Sequence, residues 1–212
     1  MAALDLQEQE QLDTLKAWWN DNGNFLLGAL LVVVVAMGGW RGWQYYQSQQ
    51  ASEAATLYAG FTRQLESNDP KRINDAAAAV MDKYANTAYA TRAALLAAQM
   101  NELVKDVARA KTQLQWVINH AEEASMKDVA RLRLAAVLLD EKDYEHAMNL
   151  LEANHPASFD GLYADLRGDV LSAQGKKEEA KSAYKLAYEK TDAKSTYRDL
   201  IQVKMDALGE TK

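Results

Sequence analysis

Hydrophobic positions change their rhythm along this chain. From Asn22 to Trp40 there is no charged residue, and Phe25 to Trp40 reads FLLGALLVVVVAMGGW, apolar on every face that a helix could present. An amphipathic surface helix keeps a polar face; a run apolar all round needs an apolar solvent or a complete protein shell. Trp18 and Trp19 stand on one side of the run, and Trp40, Trp43, Tyr45 and Tyr46 on the other, the positions at which amphipathic rings settle at the two surfaces of a bilayer. Trp19 to Trp40 spans about 31 Å at roughly 1.5 Å per helical residue, close to the roughly 30 Å of bilayer hydrocarbon. The pattern predicts one membrane helix.

A cleaved signal peptide is the competing reading of such a run, but signal peptides begin with positive charge. Here Asp5, Glu8, Glu10, Asp13 and Asp21 precede the run against Lys16 alone. The membrane reading divides the chain into a short acidic tail over 1–21, a membrane helix with its belts over 22–46 and a water-soluble region over 47–212. Charge does not orient the helix, because Lys16 on one side is matched by Arg41 on the other. Gly38 and Gly42 form a small-xxx-small pair, candidates for packing against another membrane helix.

Beyond the belts the rhythm becomes that of amphipathic helices. Leu57, Phe61 and Leu65 recur at four-residue intervals in a helix predicted over 47–65. Asn68-Asp69-Pro70 ends it, with Asp69 placed to cap and Pro70 to start a helix reaching about Tyr84. A repeat then emerges. Ala98, Ala135 and Gly168 each lie twelve residues before Ala110, Ala147 and Ala180, and four residues further on come Leu114, Leu151 and Tyr184. Successive units step by 37 and 33 residues, bracketing the period of about 34 that marks tetratricopeptide arrays. Lys142-Asp143 and Gly175-Lys176-Lys177 are the short polar turns inside two of the pairs. Tyr197, Leu200, Ile201, Lys204, Met205 and Leu208 share one face of a final helix, which reads as a cap. The fold expected is all-α: a single N-terminal transmembrane helix followed by a tetratricopeptide-like array of antiparallel helical pairs.

Composition narrows the function. A net charge of -6 disfavours nucleic acid, whose phosphates need a basic patch that the sequence lacks. No cysteine is present, which excludes disulfides and thiolate chemistry. His120, His146 and His155 are not spaced as metal ligands on a helix, and they read as exposed or turn-stabilising. The glycines form no phosphate-binding loop, and Glu122-Glu123 and Glu178-Glu179 read as helix-end residues answering the dipole. No cofactor is expected and the chain does not read as an enzyme. In a tetratricopeptide array the first helix of each pair lines a concave wall, which nominates as partner-binding candidates Arg92, Leu95, Gln99 and Glu102, then Leu162, Asp165, Asp169 and Ser172. The middle unit offers Val129, Leu132, Ala136 and Leu139, of which Leu132 and Leu139 read as core between repeats.

An acidic tail, Trp-Trp-Asn-Asp-Asn-Gly before the anchor, Gly-Trp-Arg-Gly-Trp-Gln after it, and Ala-Asp-Leu-Arg-Gly ahead of the Gln-Gly-Lys-Lys turn together resemble the YfgM family over essentially the whole chain. The resemblance implies a single-pass protein of the bacterial inner membrane with its N-terminus cytoplasmic and its helical domain periplasmic. It implies a non-enzymatic ancillary subunit of the SecYEG translocon that links the channel to the periplasmic chaperone PpiD and helps hand over newly exported chains. The other reading is a self-assembling membrane-anchored tetratricopeptide scaffold.

Overall fold

A computed structural model describes residues 2–67 and 69–209, with side chains from residue 10 onward. Asn68 and the side chains of Asp5 and Glu8 lie outside the described residues. The chain divides into two compact units, Met1–Gln50 and Ala51–Lys212.

Residues 2–50 belong to α1 (Ala2–Leu65), which is therefore already helical inside the acidic 1–21 stretch. Among the described residues α1 is the one helix long and apolar enough to cross a membrane. Its apolar side chains from Phe25 to Met37 point outward, the reverse of a soluble core helix. Gly38 and Gly42 lie one turn apart, and a Cβ at either would meet no atom within 4 Å.

The second unit is all helical among the described residues: the end of α1, then α2 (Pro70–Lys83), α3 (Ala88–Leu103), α4 (Val107–His120), α5 (Ala124–Asp140), α6 (Tyr144–Leu151), α7 (Asp160–Ala173), α8 (Lys177–Lys190) and α9 (Tyr197–Gly209), with a single 3-10 turn at Ala157–Phe159. The side chain of Asp69 accepts hydrogen bonds from the amides of Lys71 and Arg72, and Pro70 opens α2 where its missing N–H costs nothing. Phe61 at the end of α1 is fully buried against Ile73, Ala77 and Val80 of α2 and the alanines of α3.

The repeat positions are the crossings of the pairs α3–α4, α5–α6 and α7–α8. Ala98, Ala135, Ala110, Ala147, Ala180, Leu114 and Leu151 have no exposed surface, and Tyr184 has almost none. At Gly168 a Cβ would sit 2.4 Å from Cε1 of Tyr184, so the third pair reaches the same close crossing with a glycine and an aromatic where the others use alanine and leucine. Each pair also turns alike. Lys105, Lys142 and Gly175 adopt φ of 62°, 64° and 78°, and the following amides of Asp106, Asp143 and Lys176 reach back to Asn101, Leu138 and Leu171 at 2.8, 2.8 and 3.0 Å, closing the carbonyl end of the first helix. Lysine pays for that left-handed backbone, by about 1 kcal/mol or more, and glycine does not. Lys142→Gly is expected to raise the unfolding free energy by about 1 kcal/mol and Gly175→Lys to lower it by a similar amount, read from urea unfolding curves.

The final helix differs in one respect from its sequence pattern. Ile201 is fully buried and Met205 and Leu208 pack with it, but Leu200 is 49% exposed beside exposed Val203. At 100° per residue Leu200 sits at the edge of the buried stripe, and polar contacts of Tyr197 and Lys204 fix the rotation of α9.

Candidate functional site

Helices α3, α5 and α7 supply the wall on which partner contacts were expected. On α3, Arg92 and Gln99 are exposed, whereas Leu95 and Glu102 are half-buried. Leu95 packs against the central core, with Leu132 and Leu139 of α5 beside it. Burial holds the Glu102 carboxyl above its ordinary value against the opposing pull of Arg133. One oxygen of Glu102 is buried without a partner. The guanidinium of Arg133 donates to the Leu95 carbonyl at 3.5 Å.

On α7 the candidates divide. Leu162 is exposed and Ser172 half-buried. Asp165 is only 3% exposed. It accepts from the Tyr197 hydroxyl at 2.5 Å and from Lys204 Nζ at 2.8 Å, both on α9. Asp169, one turn on, accepts from the same ammonium at 2.8 Å and from the Tyr184 hydroxyl at 2.8 Å. Both carboxylates therefore fasten α9 to α7 in this conformation, leaving Leu162 and Ser172 as the outward members of that set. The sequence carries only a trace of this cluster, acids four apart on one helix and a tyrosine and a lysine seven apart on another, and that spacing does not say that the two sets face each other.

Burial works to lower the Lys204 ammonium, but its bonds to Asp165 and Asp169 outweigh that and hold it above its ordinary value. Burial first, then the same carboxylates, push the Tyr197 and Tyr184 hydroxyls far up. All three groups keep their protons to higher pH in the fold than in the unfolded chain. Their contribution is complete below about pH 10, the ordinary tyrosine value, and declines as pH rises above it. Unfolding midpoints compared at pH 8 and pH 11 are expected to fall, and Tyr197→Phe is expected to reduce that fall.

A second polar cluster lies deeper. Asp128 of α5, almost fully buried, accepts from the Tyr163 hydroxyl of α7 at 2.9 Å and from Arg131 at 2.7 Å. The His155 ring stacks on Tyr163 with 3.9 Å between centroids. His120 stacks on Trp116, and His146 bonds both oxygens of Asp143 at 2.8 Å. Each histidine thus has a local structural contact; His120 and His146 are exposed, whereas His155 is half-buried. Glu123 stands at the N-cap position of α5 without a side-chain bond to the helix, and Glu178 and Glu179 sit in the first turn of α8.

The chain matches the family described as "Tetratricopeptide repeat-like domain" over residues 16–210. A Neisseria gonorrhoeae protein named "Ancillary SecYEG translocon subunit" is 31% identical over 207 residues, covering 97% of this chain and 99% of that one. An Escherichia coli protein of the same name is 29% identical over 201 residues, covering 95% and 96%. Among solved structures, MamA from Desulfovibrio magneticus RS-1 superposes with a TM-score of 0.53 at 20% identity, over 76% of this chain and 92% of that one. At that identity the likeness speaks to fold alone, and it agrees with an array of helical pairs.

Proposed function

The chain belongs to the tetratricopeptide repeat-like family and, within it, to the ancillary SecYEG translocon subunits, the YfgM family, and from that premise we propose that it is a non-enzymatic accessory of the Sec translocon. The observation that carries the proposal is likeness at full length: identity with its relatives runs through both the anchor and the array, and the relatives named for the translocon match almost end to end. In this reading residues 22–46 lie in the inner membrane, with 1–21 in the cytoplasm and the array of 47–212 in the periplasm. There it links the channel to the chaperone PpiD and helps pass on newly exported chains. The exposed candidates Arg92, Gln99 and Leu162, with Leu95, Glu102 and Ser172 partly reachable beside them, form the contact surface for a partner. Gly38 and Gly42 meet a second membrane helix.

The role asks for positioning rather than chemistry. The buried carboxylates of Asp128 and Asp165 support that reading, because each is bonded to groups that hold helices together. The test is affinity purification of the tagged chain from solubilised membranes. SecY, SecE and SecG are expected with the intact chain and are expected to be lost when residues 22–46 are exchanged for an unrelated membrane helix. Recovery of only further copies of the same chain would refute the accessory role and favour the scaffold.

A further inference from the structure

Helices α4 and α6 both pack on α5, and between them lies an open groove of about 790 Å³, within the roughly 300–1,000 Å³ typical of ligand sites. Its apolar surface comes from Leu134 and Leu138 of α5 with Trp116 and Leu150 at the sides. The repeat explains why this groove is larger than its counterpart of about 310 Å³ between α2 and α4. In the preceding unit the positions of Leu134 and Leu138 are held by Ala97 and Asn101, and the Asn101 amide bonds Asn74 and Gln113 at 2.8 and 2.7 Å, bridging α2, α3 and α4. In the following unit Arg167 takes the place of Leu134 and donates to the Leu151 carbonyl at 2.9 Å. The floor between α4 and α6 carries two leucines and no such bridge among the described residues.

The rim spends its charges internally. Lys111 pairs with Glu141 at 2.6 Å, and Asp143 with His146 at 2.8 Å. With these side chains paired to one another, the groove is matched to an uncharged, apolar occupant. Three carboxamides line it: Gln115, Asn119 and Asn149. Gln115 donates to the Asn119 oxygen at 3.2 Å, which leaves the Gln115 oxygen, the Asn119 nitrogen and the Asn149 amide to pair outward. A carboxamide offers one acceptor and a donor group, the complement of a peptide unit. A helix satisfies its own backbone, whereas an extended segment entering an apolar groove needs partners for its N–H and C=O groups.

We infer that the α4–α6 groove binds an extended, uncharged, apolar polypeptide segment, held by leucine and tryptophan contacts and by carboxamide pairing to its backbone. This rests on the accessory reading above and names the site at which an unfolded exported chain is held.

The experiment uses the full chain in nanodiscs. The probe is a fluorescent ten-residue peptide of Leu, Val, Ser and Asn with capped ends and a central proline, which keeps it extended. Fluorescence anisotropy is read with the empty-nanodisc signal subtracted. Saturable binding is expected, weakened at least tenfold by the double variant Gln115→Glu with Asn149→Glu. Both positions are exposed, so an unchanged melting curve shows the fold intact. Lys181→Gln with Lys185→Gln, exposed on α8 and changing the net charge by the same amount as the groove pair, is expected to leave affinity within twofold. No saturable binding overturns the proposal, as does equal loss in the Lys181 and Lys185 pair or no loss in the groove pair. Tighter binding of the same peptide with Lys or Asp flanks, or of a proline-free helical peptide, also overturns it. Translocon co-purification separates the two levels: a chain that recovers SecY but binds no peptide refutes the groove alone, and a chain that fails to recover SecY refutes the accessory reading whatever the peptide does.

Discussion

Replacing Asp128 by alanine is expected to lower the unfolding free energy by about 3 kcal/mol, toward the low end of the roughly 3–5 kcal/mol lost when one partner of a buried ion pair is removed. The carboxylate is almost fully buried and one oxygen accepts from both Tyr163 and Arg131. Without it the Tyr163 hydroxyl, equally enclosed, has no acceptor, and the Arg131 guanidinium keeps its charge in a half-buried position. Arg131 retains 21% of its side-chain surface, so water screens part of the loss. Asp128→Asn keeps an acceptor for the tyrosine and is expected to cost about half as much, near 1–2 kcal/mol, as a neutral hydrogen bond replaces a charge-assisted one. Urea unfolding followed by far-UV circular dichroism separates the two variants. Equal, small effects would show that the α5–α7 contact does not depend on this carboxylate.

The second large effect concerns Gly168. A Cβ there meets the Tyr184 ring at 2.4 to 3.0 Å, and overpacking of this kind costs about 1–3 kcal/mol, more than the roughly 1 kcal/mol that alanine gains over glycine inside a helix. Gly168→Ala is expected to destabilise by about 2 kcal/mol, because displacing the ring also threatens the bond from Tyr184 to Asp169. The chain carries its own control. Ala98 with Leu114 and Ala135 with Leu151 make the same crossing in the other two pairs. Gly168→Ala combined with Tyr184→Leu is therefore expected to be more stable than the sum of the single changes by at least 1 kcal/mol, the coupling expected of residues in direct contact. Strict additivity would show that glycine and tyrosine do not constrain one another.

That pairing also shows what a sequence displays of this fold. The twelve-residue spacing from Ala98, Ala135 and Gly168 marks close crossings because only small residues let two helix axes approach, so the array is legible from side-chain size alone. The membrane run is legible for a similar reason: a helix apolar on every face needs a bilayer or a complete protein shell around it. Polar side chains resist such reading. Asp165 and Asp169 occupy the positions that Leu95 and Gln99 hold in the first pair, and nothing local says whether an acid there faces solvent or a lysine 35 or more residues away. The answer depends on how α9 rotates as it docks. Leu134 and Leu138 are ambiguous in the opposite sense. They look like core, and they are nearly buried, yet they line a groove because the bridging residues Asn101 and Arg167 belong to the neighbouring units.

The most direct test of translocon association is photocrosslinking in intact cells, with a probe at Gly38 in the membrane helix and probes at Arg92 and Gln99 on the array. The account predicts crosslinks to SecY, SecE or SecG from Gly38, and to PpiD from the array positions. Crosslinks only to further copies of the same chain, or cytoplasmic proteins captured at Arg92 and Gln99, would contradict it.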